Sequence, residues 1–139
     1  MKTSKLLAAY GLTALVFLAL DAAWLSTMAD RLYRPTIGHL MAPQFAIAPA
    51  LVFYAMYFAG VVFFAIAPGV ADRSARTAAA RGAALGLLAY ATYDLTNQAT
   101  LRDWPWLLTL ADLAWGTFAT GAASGVVAAV LLRRRTPYV

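Results

Sequence analysis

The residues of this chain whose types and positions could do chemistry are aspartates inside apolar segments. Asp21, Asp94 and Asp112 each lie in a run apolar enough to enter a bilayer. An ionisable side chain at membrane depth is costly and therefore indicates a functional site. Three carboxylates that meet in a low dielectric cannot all stay charged without compensation. Either some of the carboxyl groups are protonated, or a bound cation or an arginine neutralises them.

Polar and aromatic side chains accompany these aspartates at helical spacing. Tyr90, Asp94 and Asn97 fall on one face of a helix, and Tyr93 and Thr96 fall on an adjoining face. The pattern Asp-x-x-Trp occurs twice and places an indole one turn after a carboxylate. The sequence therefore predicts a ligand site whose members are Asp94, Asp112, Asp21, Asn97, Tyr90, Tyr93, Thr96, Trp24 and Trp115.

Three ways of compensating the negative charge remain open. Arg102 or Arg31 folds back as an ion pair, or an all-oxygen site holds Mg²⁺, Ca²⁺ or Mn²⁺. Alternatively, an organic cation binds against the indole faces of Trp24 and Trp115. The chain has no Cys and one His, which excludes thiolate chemistry and histidine-based metal sites. The sequence assigns no metal ligands, no cofactor and no catalytic residues. A further alternative is that the aspartates and tryptophans simply lie at the membrane interface and form no site.

Composition places these residues in a membrane protein. Apolar residues make up 63% of the 139 positions and the mean hydropathy is +0.69, whereas soluble domains are about 45–50% apolar. The basic residues cluster at the ends of apolar runs, which indicates a bilayer partner and argues against nucleic acid. We predict an all-α, four-helix transmembrane bundle in a single domain over 1–139. The helices are expected at about 5–28, 43–67, 75–99 and 106–132, with a polar connection at 29–43.

Two pairs of glycines mark the faces where helices can approach closely. Gly82 and Gly86 are four residues apart in the third predicted helix, and Gly121 and Gly125 have the same spacing in the fourth. Small residues at this spacing let transmembrane helices come into backbone contact. The contacts are expected within the protein or between copies, so a homo-oligomer through glycine-paired faces is a further expectation.

Three sequence motifs resemble a family of small bacterial membrane proteins classed as a domain of unknown function. They are LDAAWL, YDLTNQATL followed by Trp-Pro, and DLAWG. The resemblance covers nearly the whole chain and implies a multi-pass protein of the bacterial inner membrane. The motif positions are Asp21, Trp24, Tyr93, Asp94, Thr96, Asn97, Thr100, Trp104, Pro105, Asp112, Trp115 and Gly116. The resemblance implies no particular activity.

Three functions fit these observations. The first is binding or transport of a cationic or amphipathic small molecule or lipid at the aspartate cluster. The second is a membrane enzyme, or an accessory subunit, acting on a lipid or isoprenoid with Asp94 and Asp112 as acid and base. The third is a structural partner of a larger membrane complex. A water-accessible cavity favours transport, a slot open to lipid favours the enzyme, and a partner protein needs no cavity.

The distribution of basic residues predicts the topology. Eight of the 11 Lys and Arg residues flank the side that holds both termini, which the positive-inside rule assigns to the cytoplasm. Reporter tags at Met1 and at Val139 should therefore both respond from the cytoplasm. A C-terminal alkaline phosphatase fusion that is active in the periplasm would contradict this layout.

Overall fold

Within residues 1–133, which a computed structural model of the protein describes, every regular element is helical. Four long helices form an antiparallel bundle, which confirms the predicted all-α fold. They are α1 (Thr3–Met28), α2 (Ile47–Ala71), α3 (Ala75–Thr100) and α4 (Trp106–Arg133). The connections 29–46 and 101–105 form the aspartate end of the bundle. The opposite end, called the arginine-rich end, is formed by the N-terminus, the 72–74 turn and Arg133. Arg134 and Arg135, which were counted among the basic residues for the topology, lie outside the described residues.

Three of the four helices are long and apolar enough to cross a membrane. In 1–133 these are α1 with its helical continuation to Leu40, α2 and α4. The 26 residues of α3 are sufficient in length, but its basic first turns and its polar stripe lower its hydropathy. Because α3 packs against α4 along its length, it lies at the same depth as that apolar helix. The orientation of the termini stays a prediction.

Each of the two π-helical turns precedes a proline. One covers Ala29–Tyr33 before Pro35, and the other covers Val62–Ile66 before Pro68. A proline inside a helix lacks an N–H and crowds the carbonyl four residues earlier, and a wider turn relieves that crowding. For Pro68 this carbonyl belongs to Phe64, and the Arg81 Nε donates to its oxygen at 2.8 Å. The helix therefore continues through Pro68 to Ala71 rather than ending near residue 67.

Backbone contact between small residues sets the spacing of α3 and α4. A methyl group added at Gly86 would lie 2.7 Å from the Thr120 hydroxyl oxygen and 2.8 Å from the Gly116 carbonyl carbon. One added at Gly82 would lie 2.7 Å from the Thr120 carbonyl oxygen. Gly121 and Gly125 face the α3 alanines Ala83 and Ala79. The glycine prediction is therefore confirmed within one chain, and a homo-oligomer, which stays a prediction, would need other surfaces.

A ring of hydrogen bonds fixes the turn between α3 and α4. The Gln98 amide nitrogen donates to the Trp104 carbonyl at 2.7 Å, and the Trp104 indole donates to the Thr109 hydroxyl at 3.1 Å. Thr109 in turn donates to the Gln98 amide oxygen at 2.9 Å. The ring ties the last turn of α3 to the first turn of α4, so Asp94 and Asp112 are held beside each other.

An aromatic core joins α1, α2 and α4. The rings of Phe17, Tyr57 and Phe58 pack edge to face, with centroids 5.6 and 5.7 Å from Phe17. The Tyr57 hydroxyl also pairs with the buried Thr120 hydroxyl at 2.8 Å. Such a pair removes two unsatisfied polar groups from the membrane interior. A second, smaller cluster of Leu32, Trp104 and Leu108 covers the bundle at the aspartate end.

The helix spacing can be tested by adding one methyl group. Gly86→Ala should lower the melting temperature in detergent, because the methyl group meets backbone atoms of α4 that cannot move aside. The matched control is Gly11→Ala in α1, where nothing lies within 4 Å of the added methyl group. That control should be neutral or slightly stabilising, since alanine favours a helix over glycine by about 1 kcal/mol. Equal melting temperatures for the two variants would contradict the close approach.

Candidate functional site

Asp94 and Asp112 face each other across the contact between α3 and α4. Asp94 is 0% exposed and Asp112 is 5% exposed, although both lie in helices expected in the bilayer. Their carboxyl groups lie within hydrogen-bonding reach of each other. Neither oxygen of Asp94 receives a hydrogen bond from an N–H or O–H group in the described structure. The Asp112 carboxyl is therefore the group positioned to hydrogen-bond with Asp94, and such a bond requires a proton on one of the two carboxyls.

Tyr33 links the Asp94–Asp112 carboxyl pair to the 29–46 segment at the aspartate end. Its hydroxyl donates to Asp112 Oδ1 at 2.5 Å and accepts the Trp24 indole N–H at 2.9 Å. The π-helical turn Ala29–Tyr33 continues α1 over the end of the bundle, and its buried Leu32 packs in the covering cluster. That packing holds Tyr33 over Asp112. Because Asp112 receives this hydrogen bond and Asp94 receives none, negative charge is better stabilised on Asp112.

Asp21 occupies the same region from α1. It is 8% exposed and accepts a hydrogen bond from the Tyr54 hydroxyl of α2. It also lies close enough to interact electrostatically with Asp112 and with the Tyr90 hydroxyl. The three aspartates predicted to meet are therefore brought to one region by α1, α3 and α4.

A groove on the side of the bundle reaches Asp112. It measures about 340 Å³ and is lined by Phe53, Ala89, Tyr90, Tyr93 and Asp112. It exists because the first part of α2 packs on α1, whereas the π turn and last turn of α2 pack on α3. Phe53 and Tyr93 are 51% and 57% exposed on the outer surface of the bundle. The groove therefore opens sideways, toward the space that lipid fills.

The other predicted site residues separate into two groups. Tyr90 and Tyr93 line the groove, and the Asn97 side chain lies within reach of the Tyr93 hydroxyl. Thr96 is exposed and its hydroxyl bonds backbone carbonyls of its own helix, including that of Tyr93 at 3.1 Å. Its side chain therefore faces away from the aspartates.

The two indoles of the Asp-x-x-Trp motifs stack on each other. The rings of Trp24 and Trp115 lie 4.6 Å apart at 9°, in offset parallel contact. With Leu20 and Phe118 they line a shallow surface between α1 and α4 rather than the groove. The aromatic faces at the groove come instead from Tyr90, Tyr93 and Phe53.

The described residues do not supply a cation for the aspartates. In 1–133 the one ion pair joins Arg34 to Asp30 at 2.5 Å on the surface, so Arg31 and Arg102 do not neutralise the site. In the same residues, no three His, Asp or Glu side chains lie close enough together to hold a metal ion, so Asp21, Asp94 and Asp112 share a region without forming a metal-ligand group. Of the three forms of compensation, the organic cation remains consistent with this geometry, and so does the alternative in which one of the carboxyl groups is protonated.

Tyr33 and Tyr54 contact the aspartates but were not among the predicted site residues. Tyr54 lies three residues before Tyr57 in α2, and this spacing was a signal for a hydroxyl-bearing face. Tyr33 carried no such signal, because its position depends on the π turn and on the packing of Leu32.

Fold and site together define a multi-helix membrane protein with a carboxyl pair buried between two helices. The chain belongs to the family described as "Predicted membrane protein (DUF2177)", whose family model matches residues 6–129. This confirms the resemblance noted from the motifs. No curated protein and no solved structure matches the chain.

The hydrogen bonds of Tyr33 generate a prediction on stability. Tyr33→Phe should leave Asp112 and the Trp24 indole without their partner and destabilise the fold by about 1–3 kcal/mol. The matched control is Tyr10→Phe, which removes an exposed hydroxyl bonded to the Ala55 carbonyl and should have a smaller effect. Thermal unfolding in the same detergent measures both variants. A Tyr33→Phe variant as stable as Tyr10→Phe would contradict the role of this residue.

Proposed function

We propose that the protein binds an amphipathic molecule with a single cationic group, which enters the groove from the bilayer. The observation that carries this proposal is the position of Asp112. Its carboxyl lies at the groove and, at the same time, in contact with the buried carboxyl of Asp94. The charge of the pair is therefore presented to an opening on the lipid side.

The number of protons on the Asp94–Asp112 pair determines the charge of the pair, and therefore the charge that a ligand must carry to neutralise it. Two ionised carboxylates in contact at membrane depth would repel each other and lose hydration, which costs several kcal/mol. One shared proton removes this repulsion, with Asp94 as the donor and Asp112 as the acceptor that Tyr33 also stabilises. The pair then carries one negative charge, which one ammonium group would neutralise.

The walls of the groove suit an organic cation with an apolar body. Its volume of about 340 Å³ lies at the lower end of the ~300–1,000 Å³ range of small-molecule sites. The rings of Phe53, Tyr90 and Tyr93 offer faces for cation–π contact. A headgroup would fill the groove, and an attached chain would extend through the lateral opening into lipid.

A membrane enzyme acting on a lipid or isoprenoid is the second candidate. The lateral opening supports it, because such a substrate reaches the site from the bilayer. A protonated Asp94 beside an ionised Asp112 also forms the acid and base that proton transfer requires. Transport and a partner role in a larger complex draw no specific support from the groove.

Binding of an alkylamine tests the first proposal. Protein in lipid nanodiscs is titrated with tritiated dodecylamine, and empty nanodiscs give the background. Asp112→Asn should weaken saturable binding about tenfold or more, because a charge-assisted hydrogen bond contributes about 1.5–3 kcal/mol. Asp94→Asn should retain binding within about threefold, since its amide can still donate to Asp112.

Two controls make this test specific. Asp72→Asn removes an exposed carboxylate at the arginine-rich end and should bind as the unmodified protein does. Dodecanol should not compete, because it has the chain without the charge. Unchanged binding in Asp112→Asn, or equal competition by the alcohol, would refute the amine site. The enzyme alternative predicts instead that Asp94→Asn abolishes turnover of its substrate.

A further inference from the structure

A second cavity lies at the arginine-rich end, far along the bundle from the aspartates. It measures about 390 Å³ and lies between the start of α1 and the last turn of α2. Its lining includes three basic residues, Lys2, Lys5 and Arg73. The rest of its lining is apolar and consists of Met1, Ala67, Val70 and Ala71. The cavity thus combines positive charge with an apolar wall where the helices leave the membrane.

The positive charge of this cavity is not neutralised within the described structure. In 1–133 the one ion pair is that of Arg34 with Asp30, at the opposite end. Asp72 precedes Arg73 in the chain but forms no ion pair with it or with either lysine. The first turn of α1 also lacks a side-chain cap, so its free N–H groups add to the positive potential.

Arg73 occupies a backbone position that normally favours glycine. Its φ of 54° lies in the left-handed region, two residues after the last residue of α2. The N–H groups of Arg73 and Ser74 close the helix by donating to the carbonyls of Val70 and Gly69, at 3.2 and 2.8 Å. Glycine is the usual residue in this helix-ending motif because it has no Cβ. The arginine is therefore unfavourable for the backbone but brings a guanidinium group to the cavity.

We propose that this cavity binds the phosphate headgroup of an anionic phospholipid in the adjacent leaflet. Basic pockets between transmembrane helices at the cytoplasmic side suit anionic headgroups, and the topology predicted for this chain puts the cavity there. The apolar wall favours a lipid over a soluble anion, because it can contact the glycerol and upper acyl chain. This site shares no residue with the aspartate site and does not depend on the function proposed for it.

Lipid retention measured by native mass spectrometry tests the proposal. The protein is released from mixed micelles that contain equal amounts of phosphatidylglycerol and phosphatidylcholine. We expect one phosphatidylglycerol to be retained in preference to phosphatidylcholine. Arg73→Gly and Lys5→Gln should each reduce this preference about fivefold, the loss expected for one basic residue near a headgroup. Arg73→Gly should not lower the melting temperature, because glycine suits the left-handed position.

The control is Arg76→Gln, which removes one positive charge from the same end of the bundle without touching the cavity. It should retain phosphatidylglycerol as the unmodified protein does. An equal loss in Arg76→Gln would overturn the site in favour of diffuse surface charge. Equal retention of the two lipids, or unchanged preference in both cavity variants, would also overturn it. Displacement of phosphatidylglycerol by millimolar inorganic phosphate would refute the lipid in favour of a small anion.

Discussion

The close approach of α3 and α4 is the constraint on which the rest of the structure depends. In a bilayer the apolar surfaces of helices gain little from each other over lipid, so association relies on van der Waals packing and hydrogen bonds. Gly86 and Gly116 meet with no side chain between their backbones, and the Tyr90 ring packs on Gly116. One turn beyond the contact of Tyr90 with Gly116, the same separation brings Asp94 and Asp112 within hydrogen-bonding reach of each other. A larger residue at either glycine would move the carboxyl groups apart.

Most polar side chains at membrane depth have a hydrogen-bonding partner, and the buried Asp94 carboxyl is one of the exceptions in the described structure. Tyr57 pairs with Thr120, Tyr54 pairs with Asp21, and Tyr33 pairs with Asp112. Such pairs lower the cost of burying hydroxyl and carboxyl groups away from water. The Asp94 oxygens have the neighbouring carboxyl and no other polar partner in the described structure. A group left this way in a membrane interior serves binding or proton transfer more readily than it serves stability.

The sequence predicted the four helices and the meeting of the aspartates because both follow from short-range patterns. The length of each apolar run predicts a membrane-spanning helix. The four-residue spacing of Gly82 and Gly86 identifies the face of α3 that contacts another helix. The start of α2 at Ile47 and its end at Ala71 differ from prediction, since irregular residues precede Ile47 and a π turn carries the helix past Pro68. The location of Tyr33 over Asp112 was not predictable, because it arises from tertiary packing of the connection. For the same reason, helical spacing could not show that Trp24 and Trp115 stack together or that Thr96 faces outward.

We propose that Asp94 and Asp112 share one proton, which leaves one negative charge beside the groove. Infrared difference spectroscopy of the protein in lipid at neutral pH measures this directly, through the carbonyl stretch of a protonated carboxylic acid. One such band is expected, which disappears in Asp94→Asn and persists in the Asp72→Asn control. Absence of the band at neutral pH, or a band that Asp94→Asn leaves unchanged, would contradict it.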